Sequence, residues 1–202
     1  MSIATALRSL YRARPGHSPA SRLRMLLVAF ALAFFFPVAS FAQGISVTNS
    51  VIEPTEEGWQ LNADFDVQFS QRLEEAVTRG VPLYFVVEFE LSRPRWYWFD
   101  EKPVKLSQTY KISYTPLLRQ YRLSVGNLYQ NFTRFDEVKR VLSRVRGWHV
   151  ADKGALNREG VYQANLRMRL DTGQLPKPFQ LNAVASSDWS INSEWHRWTI
   201  TP

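Results

Sequence analysis

The sequence predicts a mainly β protein: an antiparallel β-sandwich of immunoglobulin-like type with two short α-helices in its connections. Three observations point there. Apolar and polar residues alternate with period two over about eight segments, the mark of half-buried strands. Each such segment keeps one polar face, which a parallel sheet covered by helices on both sides would not show. Helical spacing is confined to two short stretches.

The elements follow in order. Residues 43–53 are β-prone and end at Pro54, and Glu56-Glu57-Gly58 turns the chain. Trp59, Leu61, Ala63, Phe65, Val67 and Phe69 then alternate with Gln60, Asn62, Asp64, Asp66 and Gln68. Ser70 caps a short helix over Gln71–Arg79 with an apolar stripe of Leu73, Ala76 and Val77, stopped at Gly80. Val81, Leu83, Phe85, Val87, Phe89 and Leu91 share the next strand face, opposed by Glu88 and Glu90.

After Pro103, Val104, Leu106, Tyr110, Ile112 and Tyr114 alternate with Lys105, Ser107, Thr109, Lys111 and Ser113. Gln108 interrupts the apolar face, which predicts a bulge or an unusual polar contact. Tyr121, Leu123 and Val125 mark a strand ending at Gly126. A second helix is expected over Arg134–Arg146, with Thr133 and Asp136 as its capping pair and Gly147 as its stop. Tyr162 to Leu170 alternates again. Leu175-Pro176-Lys177-Pro178 reads as a stiff turn into a strand carrying Phe179, Leu181, Ala183 and Ala185, and Trp189 to Ile200 closes the chain.

Charges on the polar faces also predict strand order. Asp64/Asp66 and Glu88/Glu90 are acidic, whereas Lys105/Lys111, Arg122 and Arg167/Arg169 are basic. Like charges directly opposite repel, so acidic strands should neighbour basic ones.

The first 42 residues read as a signal peptide. Five arginines and no acid precede an apolar run from Met25 to Phe36; Pro37 breaks it, and Ser40-Phe41-Ala42 supplies the small-x-small pattern for cleavage after Ala42. The run is short of the roughly 20 apolar residues of a membrane span. The alternative is an uncleaved anchor, and membrane contact is expected only through this segment. The remainder, 43–202, reads as a single domain in the periplasm. The chain carries a net charge of +7, but without the leader it has 20 basic against 18 acidic residues, so the case for a nucleic-acid partner falls away. Cysteine is absent, which removes disulfides, thiolate metal sites and a lipoprotein anchor.

Catalytic chemistry finds little footing. His149 and His196 have no second imidazole at a ligand spacing, and both read as structural, His149 at the end of the second helix. Neither a G-x-S-x-G elbow nor a Gly-rich phosphate loop occurs. The acidic pairs on strand faces are solvated surface; only Asp100/Glu101 lies beside a plausible substrate platform. The basic residues of the second helix, Arg134, Lys139, Arg140, Arg144 and Arg146, could meet an anionic surface, but late arginines also simply complement the helix dipole. No enzyme activity, cofactor or metal is expected.

The candidate contact surface is Arg93-Pro94-Arg95-Trp96-Tyr97-Trp98-Phe99, four consecutive aromatics beside arginines and between prolines. Exposed Trp, Tyr and Arg are typical interface anchors, and rings also stack on sugars. The competing reading is an edge whose rings close one end of the sandwich. The binding set is Arg93, Arg95, Trp96, Tyr97, Trp98 and Arg122.

The segments Arg93-Pro94-Arg95-Trp96-Tyr97-Trp98, Arg119-Gln120-Tyr121-Arg122-Leu123-Ser124-Val125-Gly126, Tyr162-Gln163-Ala164 with Leu170-Asp171, Leu175-Pro176-Lys177-Pro178-Phe179-Gln180 and Asp188-Trp189 resemble domain-of-unknown-function family 4390, exported proteins of Gram-negative bacteria. The resemblance spans about residues 45–200 and brings no activity, cofactor or catalytic residue. It implies a periplasmic accessory to a membrane sensor kinase, because such kinases are often encoded beside family members. The expected function is therefore a non-enzymatic protein-binding module whose partner is an envelope protein, with a carbohydrate-binding module for envelope glycans as the alternative.

Overall fold

The computed structural model describes residues 44–93, 101–157 and 160–201, and the side chains of 101–103, 182, 184, 185 and 187 lie outside that description. The described part is an antiparallel two-sheet sandwich. Strands β1 (Ile45–Pro54), β2 (Gly58–Val67) and β7 (Arg144–Asp152) form one sheet in the order β1-β2-β7. The other is six-stranded, in the order β6-β5-β4-β3-β8-β9, built from β3 (Leu83–Arg93), β4 (Glu101–Thr115), β5 (Gln120–Val125), β6 (Leu128–Phe132), β8 (Tyr162–Leu170) and β9 (His196–Ile200). Helix α1 (Gln71–Thr78) joins β2 to β3, α2 (Phe135–Leu142) joins β6 to β7, and α3 (Lys177–Ala185) lies between β8 and β9.

The period-two pattern does what it promised. Leu61, Ala63, Phe65 and Val67 of β2, Leu83 to Leu91 on the odd positions of β3, and Tyr162 to Leu170 on the even positions of β8 are all buried in one apolar core. Leu73, Ala76 and Val77 of α1 and Val138 and Leu142 of α2 join the same core. Burying a large aliphatic or aromatic side chain contributes about 1.5–3 kcal/mol, so this shared interior is what holds sheets and helices together.

Strand order obeys the charges. The strand with Glu88 and Glu90 lies between the strand with Lys105 and the strand with Arg167 and Arg169. The strand with Asp64 pairs instead with β7, where Asp64 sits opposite Arg144 and forms an ion pair with Arg146.

Four local expectations need correcting. The segment 177–185 is a helix, not a strand. Pro176 stands at its N-cap and Pro178 within its first turn, where a missing N–H costs nothing. Gln180 closes the start by donating to the carbonyls of Gly173 and Leu175 at 2.7 and 2.8 Å. Helices therefore number three among the described residues, not two.

The second helix is shorter than its apolar spacing implied. It ends at Leu142, and Arg144 to Asp152 is strand β7. Its N-cap is Arg134 rather than Thr133, and the Glu137 carboxylate accepts the Arg134 N–H at 3.3 Å. Gly147 is not a helix stop: it sits inside β7 at φ 60, where its N–H meets the Asn62 side chain at 2.9 Å. His149 consequently lies in a strand, with Nε2 2.9 Å from Asp152 Oδ1.

Of the two expectations for Gln108 the bulge is not met, since the β3–β4 register runs through Val87↔Gln108 without a shift; its buried Oε1 has no hydrogen-bond partner among the described residues. The last correction is an omission: β6 escaped the sequence reading. A two-residue turn, Gly126-Asn127, folds it back on β5, with Gly126 at φ 55 in the first turn position.

Candidate functional site

In antiparallel strands alternate side chains point to opposite faces, so the residues between the buried ones of β3, β4 and β8 share the outer face of the six-stranded sheet. At its centre Glu88 stands opposite Arg167 on one side and Ser107 on the other, and Glu90 stands opposite Lys105. The Glu88 carboxylate accepts from Arg167 Nε through one oxygen and from Arg169 Nε and Nη2, at 3.1 and 3.0 Å, through the other. Lys105 Nζ reaches Glu90 at 3.0 Å. The Arg167 guanidinium lies over the Trp195 ring, 4.3 Å from its centroid. A cleft of about 370 Å³ is lined by Glu88, Glu90, Lys105, Leu106, Ser107 and Arg167.

The electrostatics are lopsided in a useful way. Burial by itself pushes the Glu88 carboxyl up; the hydrogen bonds and charges of Arg167 and Arg169 outweigh it and hold the group below its ordinary value. Glu88 is thus an anion locked between two cations. Arg167 and Arg169 keep about a third of their side-chain surface exposed, and Lys105 is largely exposed. Guanidinium groups fixed in position by an acid and a ring, yet open to solvent, can meet a carboxylate or a polar peptide edge without first losing rotamer freedom.

The expected binding residues fall in different places. Arg95, Trp96, Tyr97 and Trp98 lie outside the described residues, as does Asp100, while Glu101 has only its backbone described. Arg93 ends β3 and pairs with Glu101. Arg122 stands on β5 opposite Ser113, its Nε donating to Asn131 at 3.0 Å and its guanidinium 4.6 Å from the Tyr129 ring centroid. Glu101 and Ser113 are twelve residues apart on β4, roughly 40 Å at about 3.3 Å per residue. Arg93 and Arg122 therefore do not belong to one patch. Glu90, which lines the cleft, is three residues from Arg93 on β3.

Sequence reasoning missed Arg167, Arg169, Ser107 and Trp195 as site residues. Their signal was available: the acidic and basic pairs that set strand order also converge on one face.

The basic residues expected on a single helix face are dispersed. Arg144 and Arg146 belong to β7, and Lys139 turns to Glu74 and Asp136 at 3.1 and 2.9 Å. His196 packs its ring against Trp198 at 5.3 Å between centroids. Among the described residues there is no group of three or more His, Asp or Glu side chains placed to hold a metal ion, and no helix long and apolar enough to cross a membrane.

A two-sheet antiparallel sandwich with a preorganised ionic face defines a β-sandwich domain in structural terms. By sequence the chain belongs to the family described as a domain of unknown function, DUF4390, whose pattern matches residues 42–199. No curated protein and no solved structure matches the chain.

Proposed function

We propose that this chain is exported to the periplasm and acts there as a non-enzymatic module that binds an envelope protein, the periplasmic part of a membrane sensor kinase being our candidate partner. The observation that carries the reading is the fixed ionic lattice on the outer sheet face: Glu88 forked by Arg167 and Arg169, with Arg167 laid on Trp195. Arg and Trp are enriched among the residues that dominate protein interfaces. Held rigid and left partly exposed, they support recognition of a partner surface more readily than turnover of a substrate. Arg93, Arg95, Trp96, Tyr97 and Trp98 remain contact residues in the proposal on their composition alone.

Affinity purification of the full chain from envelope fractions tests it. A tagged wild-type chain should start at Gln43 and recover one envelope protein in stoichiometric amount. A Trp195→Ala/Lys105→Glu variant with an unchanged circular dichroism spectrum should recover at least tenfold less. Equal recovery by wild type and variant would overturn the surface assignment. A chain that retains envelope glycans but recovers no protein would support carbohydrate binding instead.

A further inference from the structure

The second surface is an edge rather than a face. β6 is the last strand of the six-stranded sheet on its β5 side, so alternate residues turn their backbone N–H and C=O groups away from β5. Residues 128–131 are exposed, Leu128 at 78% and Tyr129 at 64%. The other edges carry devices that discourage pairing. β1 has a register shift between Val47 and Asn49 and ends in Glu53-Pro54. β7 carries Arg144 and Arg146 and a glycine at φ 60, and β9 carries Arg197. The half of β4 that β5 does not reach contains Pro103 and Lys105. β6, Leu-Tyr-Gln-Asn-Phe, has no charge, no proline and no bulge. Such a strand is a template for a further strand.

We infer that β6 is the two-fold interface of a homodimer, in which it pairs antiparallel with the β6 of a second copy about Gln130. The strand is complementary to itself in that register. Gln130 meets Gln130 of the partner subunit, and each amide can both donate and accept. Leu128 and Phe132 share a face with Gln130, so exposed Leu128 packs on Phe132 of the partner subunit, and the reverse. On the other face Tyr129 meets Asn131 of the partner subunit. Arg122, which already stacks on Tyr129 and bonds Asn131, lies beside that pair. A charge-free strand sets no like charges against each other on self-pairing, whereas a charged edge would. Pairing joins two six-stranded sheets into one continuous sheet and doubles the outer ionic face.

The absence of cysteine makes the test direct, because a single introduced thiol is the only one in the chain. Full chains carrying Gln130→Cys should form a disulfide dimer when oxidised in the cell envelope, since the two Cα atoms fall within the roughly 4.4–6.8 Å that a disulfide spans. Chains carrying Tyr129→Cys and Asn131→Cys should cross-link when mixed, but each poorly alone, because identical residues are then about 8 Å apart. Thr199→Cys on β9 is the comparison and should stay monomeric. Each variant is first checked by circular dichroism against wild type. The inference is overturned if Gln130→Cys gives no more dimer than Thr199→Cys, if the mixed pair fails to exceed the single variants, or if Gln130→Cys is captured mainly by a different protein.

Discussion

Glu88 shows how a single side chain can set the tone of a surface. Its folded-state pKa is depressed below the ordinary value of 4.5 because two arginines outweigh its partial burial. A depressed carboxylate contributes stability above its unfolded pKa and loses that contribution as pH falls through the folded value. Denaturant unfolding measured from pH 7 down to pH 3 should therefore show stability falling below about pH 4.5. Glu88→Gln should cost about 1–2 kcal/mol at pH 7, leaving two half-buried guanidiniums short of a partner, and the gap to wild type should narrow at pH 3. A gap independent of pH would mean that the carboxylate charge is not what binds the two arginines.

Gln108 is the opposite case. Its buried Oε1 has no hydrogen-bond partner among the described residues and sits on the apolar face of β4. Replacing an unsatisfied buried polar group by an apolar one of similar size removes a desolvation cost of about 1–3 kcal/mol. Gln108→Met should raise the denaturation midpoint; a lower midpoint would mean that the amide has a partner in solution.

Among the elements, α1 is tied to the segment before β9 by a hydroxyl and an ion pair. Ser70 Oγ accepts the Leu73 N–H at 3.2 Å and donates to the Asp188 carbonyl at 3.2 Å, while Arg72 reaches the Asp188 carboxylate at 2.8 Å. Ser70→Ala should cost about 1 kcal/mol by loss of the cap and more through the severed tie to Asp188, read as a shift in the urea midpoint.

At the entry to β2, Gly58 has φ 152, and a Cβ there would stand 2.2 Å from the Ala151 carbonyl oxygen. Gly58→Ala should destabilise by more than about 2 kcal/mol, with amide exchange in β7 accelerated first. Slow exchange in β7 of that variant would show that the two backbones can separate without loss.

Elements with strong alternation were legible because burial on one face imposes period two. Residues 59–69, 83–91 and 162–170 are of that kind. Three were not, for separate reasons. At 179–185 an apparent alternation of Phe, Leu and Ala also fits a helix, and the paired prolines started the helix rather than a strand. At 128–132 only five residues, with no clear face in sequence, follow a two-residue turn, and the glycine of that turn was the sole signal. At 143–147 apolar spacing continued across the helix end, because Val145 is buried from the strand as it would have been from the helix.

At the scale of the two layers, the described residues present a broad ionic face and, at β6, a strand edge without charge, proline or bulge, and separate jobs are proposed for the two. The face was partly legible. Charge alternation on neighbouring strands placed Glu88 and Glu90 between Lys105 and the arginine pair. That Arg167 is fixed on this face depended on Trp195, which lies under its guanidinium and outside any alternating segment. The aromatic run was conspicuous in sequence, yet Arg122, grouped with it there, stands on β5 beside Ser113, twelve residues along β4 from Glu101.

In the proposed function the outer face of the six-stranded sheet meets an envelope protein. A photo-reactive residue placed at Ser107 of the full chain, in living cells, tests it most directly, with Asp66 on the other sheet as the comparison site. One envelope protein should be cross-linked from Ser107, and the adduct should vanish in the Trp195→Ala/Lys105→Glu background. The same adducts from Asp66 as from Ser107, or none from either, would contradict the account.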